Sequence, residues 1–388
     1  MHQLLKSVLR ITGACFGIIT AVAIVAVIFN YNAVKRHLWI FAKQNVPHEY
    51  TDRFMRNHII DDAGVIKERV RFEHYLGWIF EESDVDIRFM FVPSIKDQTI
   101  EELAVQTVAD LRIGGDSREE RGVLLLYDLE NQRVRIEVGY GLEAYFTDAF
   151  VSYLIDDHVN VFFASDNMSM GLRFLIRMLH FNIREAILGN EFDPRVAEII
   201  RNSPHLSGGA GSTDRIDGPK MTRIDSSSEL AMQMKEEFLP QSTPDKAYEM
   251  YLRWLINGVF MPRVNMFTKQ TQGMLAGFPM STAYFHYILM REYGKESHFE
   301  IRGNLAIQYF TNDPLVCPHF FIKSEHGWQM DMRAEVNNIR RRVGGVYAWD
   351  YGGQKDIYTR AFKDQLVNIK GYIRLKGCDN RMLPVRGS

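Results

Sequence analysis

RGVLLLYDLENQRVRIEVGYGLEAYFTD, running from Arg121 to Asp148, is the stretch whose reading decides the fold. Gly122 to Tyr127 is an unbroken apolar run, the pattern of a strand covered on both faces. Asp128 to Gln132 is a polar turn. Arg133 to Val138 then alternates charged and apolar residues, which predicts a strand with one wet face. Gly139-Tyr140-Gly141 ends it, two glycines that relax the backbone where the chain turns sharply or something approaches. Thr147-Asp148 opens a helix, with Thr147 at the cap. Outward from this block, Arg69 to Glu82 predicts a helix with Phe72, Leu76, Ile79 and Phe80 on one side. Asp86 to Pro93 reads as a strand. Thr99 and Glu102 form a capping box before Ile100, Leu103, Ala104, Thr107, Val108 and Leu111, which keep helical spacing. Asp148 to Phe163 and Ser169 to Leu188 supply two more helices. Strands alternating with helices predict an α/β fold, an open sheet with helices on both faces.

The flanks carry further signals. Asp61-Asp62-Ala63-Gly64-Val65-Ile66 is an acidic pair, Ala-Gly and an aliphatic pair. Asp86 to Ser94 is a strand ending in a small polar turn, and an Ile-Glu-Glu helix follows. Asp166 and Gly171 precede the last helix. Together with the Gly-Tyr-Gly-Leu-Glu block, residues 57–190 resemble the TPM domain, a family of exported or membrane-anchored proteins of bacteria and the thylakoid lumen. One departure is the missing Trp in Leu111-Arg112-Ile113-Gly114. The resemblance implies an α/β sandwich, a bulk lying outside the cytoplasm, divalent-cation binding and, in some members, phosphatase activity.

The chain has 388 residues, enough for two or three domains, and 46% are apolar. The net charge of −2 divides into +5 for residues 1–56, −11 for 57–190, −3 for 191–240 and +7 for 241–388. An acidic part followed by a basic one either pairs the two, serves different partners, or is simply two solvated surfaces. Ile11 to Phe29 lacks any charged residue, the length of a bilayer-spanning helix. A transmembrane helix is expected over 8–30, with 31–56 as a juxtamembrane connector bearing Tyr31 and Trp39. Ala21-Val22-Ala23 leaves a cleaved signal open. Cys15 reads as a small buried residue of the span. Lys6 and Arg10 before the span, against Lys35, Arg36 and Lys43 after it, lean against export; placement outside the cytoplasm follows from the resemblance. Cys317 and Cys378 are able to pair in an oxidising compartment.

Residues 203–240, rich in Gly, Ser and Asp, read as a flexible linker. From 241 to 388 the chain reads as an α+β domain: helices at Ala247 to Gly258 and Met280 to Tyr293, then strands at Phe299–Arg302, Leu305–Phe310 and His319–Lys323 and a turn at Glu325-His326-Gly327. Helices followed by a meander resemble the cone of the nuclear-transport-factor-two-like fold. Its mouth serves as a small-molecule pocket, an enzyme site or an interaction surface. A basic extension ends the chain.

Candidate chemistry gathers where strands end. Asp61, Asp62, Asp128 and Asp148 are oxygen ligands of the kind calcium or magnesium takes. Asp62 and Asp148 also read as helix caps, and Asp128 as the start of a turn. Glu143 reads as a base or a surface residue. His298, His319 and His326 lie in the strand-rich part, and Arg340-Arg341-Arg342 reads as a basic patch or a solvated face. No nucleic-acid partner is expected. The expected function is a membrane-anchored accessory protein outside the cytoplasm that docks on a membrane complex and supports its assembly, maintenance or repair. The alternative is a metal-dependent phosphatase acting on phosphomonoesters.

Overall fold

The structure, a computed structural model, describes residues 57–115, 121–143, 145–165, 167–188, 211–216, 229–277, 280–310, 316–341 and five short stretches between 347 and 384. The expected transmembrane helix and connector lie outside the described residues. Among those described, no helix is long and apolar enough to cross a membrane.

Five strands build the first sheet in the order β1 (Ile59–Asp61), β2 (Asp86–Val92), β3 (Gly122–Asp128), β4 (Arg133–Val138) and β5 (Ser212–Arg215). The first three are parallel, β4 runs antiparallel to β3, and β5 runs antiparallel to β4. Every residue of β3 is buried, as its continuous apolar run requires. Its odd-numbered side chains, Val123, Leu125 and Tyr127, share one core with Ile87, Phe89 and Phe91 and with Phe72, Leu76 and Ile79 of α1 (Arg69–Ser83). Its even-numbered Leu124 and Leu126 face the other way, against Ile100 and Ala104 of α2 (Ile100–Asp110). Helices therefore cover both faces. The capping box of α2 forms as read: Thr99 Oγ1 accepts from Glu102 N, and the Glu102 carboxylate accepts from Thr99 N. On β4, Val134 and Ile136 point inward while Arg135 on the wet face meets Glu137.

A helical layer closes the α1 face. It starts at α3 (Asp148–Leu154), widens into a π turn at Ile155–Val159, and ends in α4 (Asn160–Phe163) before α5 (Met168–Leu188) returns. Phe163 packs on Phe91 and Tyr127, which fixes α4 near the carboxyl ends of β2 and β3.

The stretch read as a linker differs from that reading. Ser212–Arg215 is β5, paired with β4 from Ile136↔Ser212 to Arg133↔Arg215, and Glu229–Glu237 is a helix, α6. Gly, Ser and Asp lower a local preference for strand, but backbone pairing needs only a neighbouring strand with free N–H and C=O groups, and β4 offers one.

The second part begins with α7 (Pro244–Asn257), which Gly258 ends at φ +72°. After α8 (Lys269–Leu275) and α9 (Thr282–Glu292) comes a four-stranded antiparallel meander: β6 (Ser297–Arg302), β7 (Leu305–Phe310), β8 (His319–Ser324) and β9 (Gly327–Met330). Gly327 turns at φ +125°, and a Cβ there would lie 2.5 Å from the Gln241 carbonyl. A short helix, α10 (Met332–Asn338), follows β9.

The helical layer of the first part packs directly on α9. Phe174 stacks on Tyr284 at 4.2 Å between ring centroids, and Arg177 donates to the Tyr284 hydroxyl at 3.3 Å. Tyr153 and His286 share a hydrogen bond and stack. His158 Nε2 donates to the Gly171 carbonyl at 2.8 Å. Its Nδ1 is then the acceptor, and the Ser281 hydroxyl donates to it at 2.6 Å. Residues 52–388 form one compact unit.

Candidate functional site

In open α/β sheets, ligands bind beyond the carboxyl ends of parallel strands. Here the ends of β2 and β3 open into a cleft of about 510 Å³ lined by Ile95, Gln98, Asp128, Glu130, Arg133 and Arg215 among others. Each comes from a different piece of local logic. Asp128 is the last residue of β3 and is buried. Its carboxylate accepts from Asn131 N at 3.3 Å, from Asn131 Nδ2 at 2.7 Å and from Ile95 N at 3.3 Å, tying the turn after β3 to the loop after β2. Arg133 opens β4 and donates to Glu101, in the first turn of α2, at 3.2 Å. Burial raises the Glu101 carboxyl, but the Thr213 hydrogen bond and the charges of Arg133 and Arg135 outweigh it and hold it below its ordinary value. Thr213 and Arg215 belong to β5, so the stretch read as a linker supplies one wall of the cleft.

The four predicted ligands divide between the two ends of the sheet. Asp61 ends β1 on the cleft side, and both its oxygens are engaged: Oδ1 accepts from Val65 N at 3.0 Å and Oδ2 from Ile66 N at 2.9 Å. These bonds fold the turn through Gly64, at φ +69°. Asp62 is exposed, and its backbone N–H donates to the Phe91 carbonyl. β2 separates Asp61 from Asp128, which puts the two strands about 10 Å apart. Asp148 lies at the other end: β4 runs antiparallel to β3, Gly139 N meets the Gly122 carbonyl at 2.8 Å, and α3 starts from there. Thr147 caps α3, and Asp148 stands in its first turn, where a carboxylate favours the helix dipole. Among the described residues, no three His, Cys, Asp or Glu side chains converge as a metal ion needs. The cleft suits a hard cation poorly. Asp128 is committed to N–H donors and two guanidinium groups share the space.

The other candidates are placed as follows. Glu143 is exposed. His298 meets Glu300 at 3.0 Å and His326 meets Glu325 at 3.3 Å, each a local surface pair. His319 is buried between Glu292, 3.0 Å from Nε2, and Glu335, 3.1 Å from Nδ1. Arg340 and Arg341 belong to a short strand, Ile339–Arg341, while Arg342, Asp166, Cys15 and Cys378 lie outside the described residues, and with Cys378 the expected pairing.

Sequence reasoning missed one buried cluster. His58 Nδ1 lies 2.9 Å from the Ile87 carbonyl and 3.4 Å from Asp86, whose carboxylate also takes the Arg88 guanidinium through both Nε and Nη2. The i, i+2 spacing of Asp86 and Arg88 on one strand face was the available signal. His58 carried none. Next to it, Glu73 is fully buried and accepts from the backbone N–H of both His58 and Ile59, at 2.8 and 2.9 Å.

The family model of the TPM domain matches residues 59–180. Among solved structures, the chain is similar to the N-terminal domain of a protein from P. gingivalis, determined in solution by NMR. The identity is 26% over 36% of this chain and 88% of that one, with a TM-score of 0.32. No curated protein matches the chain.

Proposed function

We propose, from the TPM domain that residues 59–180 carry, that this chain is a membrane-anchored accessory protein. Its two folded parts act as one body that docks on a membrane complex outside the cytoplasm and supports its assembly, maintenance or repair. The observation that carries this reading is the joint between the parts. Phe174 on Tyr284, Tyr153 with His286, and His158 with Ser281 lock the helical layer to α9 through buried groups. A locked joint presents both parts as a single continuous surface, which is what recognition of a large partner uses. The charge-free run Ile11 to Phe29 supplies the anchor. In mild-detergent extracts the chain is expected to migrate with other membrane proteins and to crosslink to them. Recovery as a monomer under both treatments would overturn the reading. A reporter joined after Ser388 that works only in the cytoplasm would overturn the orientation.

One observation favours the second reading, hydrolysis of phosphomonoesters. Arg133 and Arg215 line the cleft beside Asp128 and Glu130, and guanidinium groups match phosphate oxygens in charge and geometry. The purified full chain, with and without magnesium or calcium, is the test. Turnover that Arg133→Ala and Arg215→Ala together leave unchanged would separate the activity from this cleft.

A further inference from the structure

β1, β2 and β3 are parallel, so their amino ends lie together, and the chain enters the described body there through Asn57 and His58. The loop after β4 returns to the same end, where Gly139 N donates to the carbonyl of Gly122, the first residue of β3. This loop is tightly bonded. Leu142 N donates to the Gly139 carbonyl at 2.9 Å, and Tyr145 N and Phe146 N donate to the Leu142 carbonyl at 2.9 and 2.8 Å. Leu142 and Phe146 plug the core at 3% and 2% exposure, whereas Tyr140 and Tyr145 stand out at 79% and 51%. Two phenol rings are thus held in solvent by a loop whose neighbouring apolar residues are buried. An apolar ring with a hydroxyl at its tip suits the headgroup layer of a bilayer, where one end is apolar and the other wet.

Charge selects the lipid. Residues 57–190 sum to −11, and Glu143 stands exposed between the two tyrosines. An anionic leaflet repels such a surface. We propose that the Tyr140–Tyr145 loop rests in the headgroup layer of a zwitterionic bilayer, so that the carboxyl ends of β2 and β3, with their cleft, face away from it. This rests on the membrane-anchored reading above and adds which end of the domain meets the lipid.

The test uses the full chain reconstituted into phosphatidylcholine vesicles. Tyr140→Cys, Tyr145→Cys and, at the opposite end, Lys96→Cys are each labelled with a nitroxide, the labelled unsubstituted chain giving the background. The readout is collision with oxygen, which dissolves in the membrane, relative to a water-soluble nickel chelate. The expected ratio is several-fold higher at positions 140 and 145 than at 96, and it falls when phosphatidylglycerol is added. Equal ratios at all three positions in chains that float with the vesicles overturn this proposal alone. A chain that does not float with vesicles overturns the anchored reading and this proposal with it. A ratio that rises with phosphatidylglycerol overturns the choice of lipid.

Discussion

Asp86 is buried, which by itself raises a carboxyl; the hydrogen bonds and charges of His58 and Arg88 outweigh that and hold it at about 2, against an ordinary 3.8. A group whose folded pKa lies below its unfolded one stabilises the fold above the unfolded value, and that contribution is lost as pH falls through the folded value. The window therefore runs from about pH 5 down to about pH 2, with roughly 2 kcal/mol at stake. Asp86→Asn is expected to flatten the slope of stability against pH in that window, read from denaturant midpoints. An unchanged slope would mean that His58 and Arg88 do not hold the charge. His319 has the opposite sign. Burial lowers its pKa, but the two carboxylates beside it raise it to about 10. Its contribution is complete below its ordinary value of 6.5 and is lost as pH rises through about 10. Removing it strands two buried carboxylates, so His319→Ala is expected to cost about 3–5 kcal/mol. A denaturation midpoint close to that of the unsubstituted chain would contradict the pairing. Of the first, only the Asp86–Arg88 spacing was legible in the sequence, and of the second nothing was. Glu335 and Glu292 lie 16 and 27 residues from His319, and only the folding of α9 and α10 against β8 brings them to it.

At the scale of elements, Gly171, in the first turn of α5, shows what a glycine at a helix crossing is for. A Cβ there would sit 2.5 Å from Phe162 Cβ and 2.9 Å from Phe162 Cγ, so the crossing of α4 and α5 requires a bare backbone. Gly171→Ala is expected to destabilise by about 1–3 kcal/mol, through overpacking. Because Gly171 O also accepts from His158, the tyrosine and histidine signals at the joint should shift in the same variant. Much of the element pattern was readable, for local reasons. The apolar run of β3, the alternation of β4, and the side-chain caps at Thr99 and Thr147 are all written within a few residues of one another. What was not readable depends on partners distant in the chain. β5 has no strand pattern of its own and exists because β4 is beside it. The hand of the crossovers was likewise invisible. β1, β2 and β3 follow in order across the sheet while α1 and α2 lie on opposite faces, so the two crossovers have opposite hands. One of them departs from the right-handed rule that nearly all such units obey. As for the site, the sequence pointed to the strand ends. The turn at Asp128 was legible; that its carboxylate also reaches Ile95 N was not, because only the fold brings the loop after β2 beside it.

At the scale of the molecule, the buried joint predicts that the two parts unfold together. Calorimetry of the full chain is expected to show one transition; two well-separated ones would mean the joint contributes little. Acid should weaken it first. Burial lowers the pKa of both His158 and His286 to about 4 from an ordinary 6.5. A histidine whose folded pKa is depressed gives its full contribution above the unfolded value and loses it as pH falls toward the folded one. Stability should therefore decline between about pH 6.5 and pH 4, and His286→Phe together with His158→Gln should remove part of that decline in denaturant titrations.

The strand that leaves the glycine-rich stretch has one more effect. β5 is the outermost strand beside β4, and it covers the N–H and C=O groups that β4 would otherwise present along Arg133 to Ile136. An uncovered, alternating strand of this kind is a template for a second molecule to add to. The stretch thus protects the protein from its own copies. Asp214→Pro removes a donor that faces β4 from the middle of β5, where Ile216 N bonds the Gln132 carbonyl and Asp214 pairs with Val134, and is expected to strip it from the sheet. Size-exclusion chromatography should then show concentration-dependent dimers and larger species, with added intermolecular β-structure in the infrared, while the unsubstituted chain keeps one elution position at every concentration.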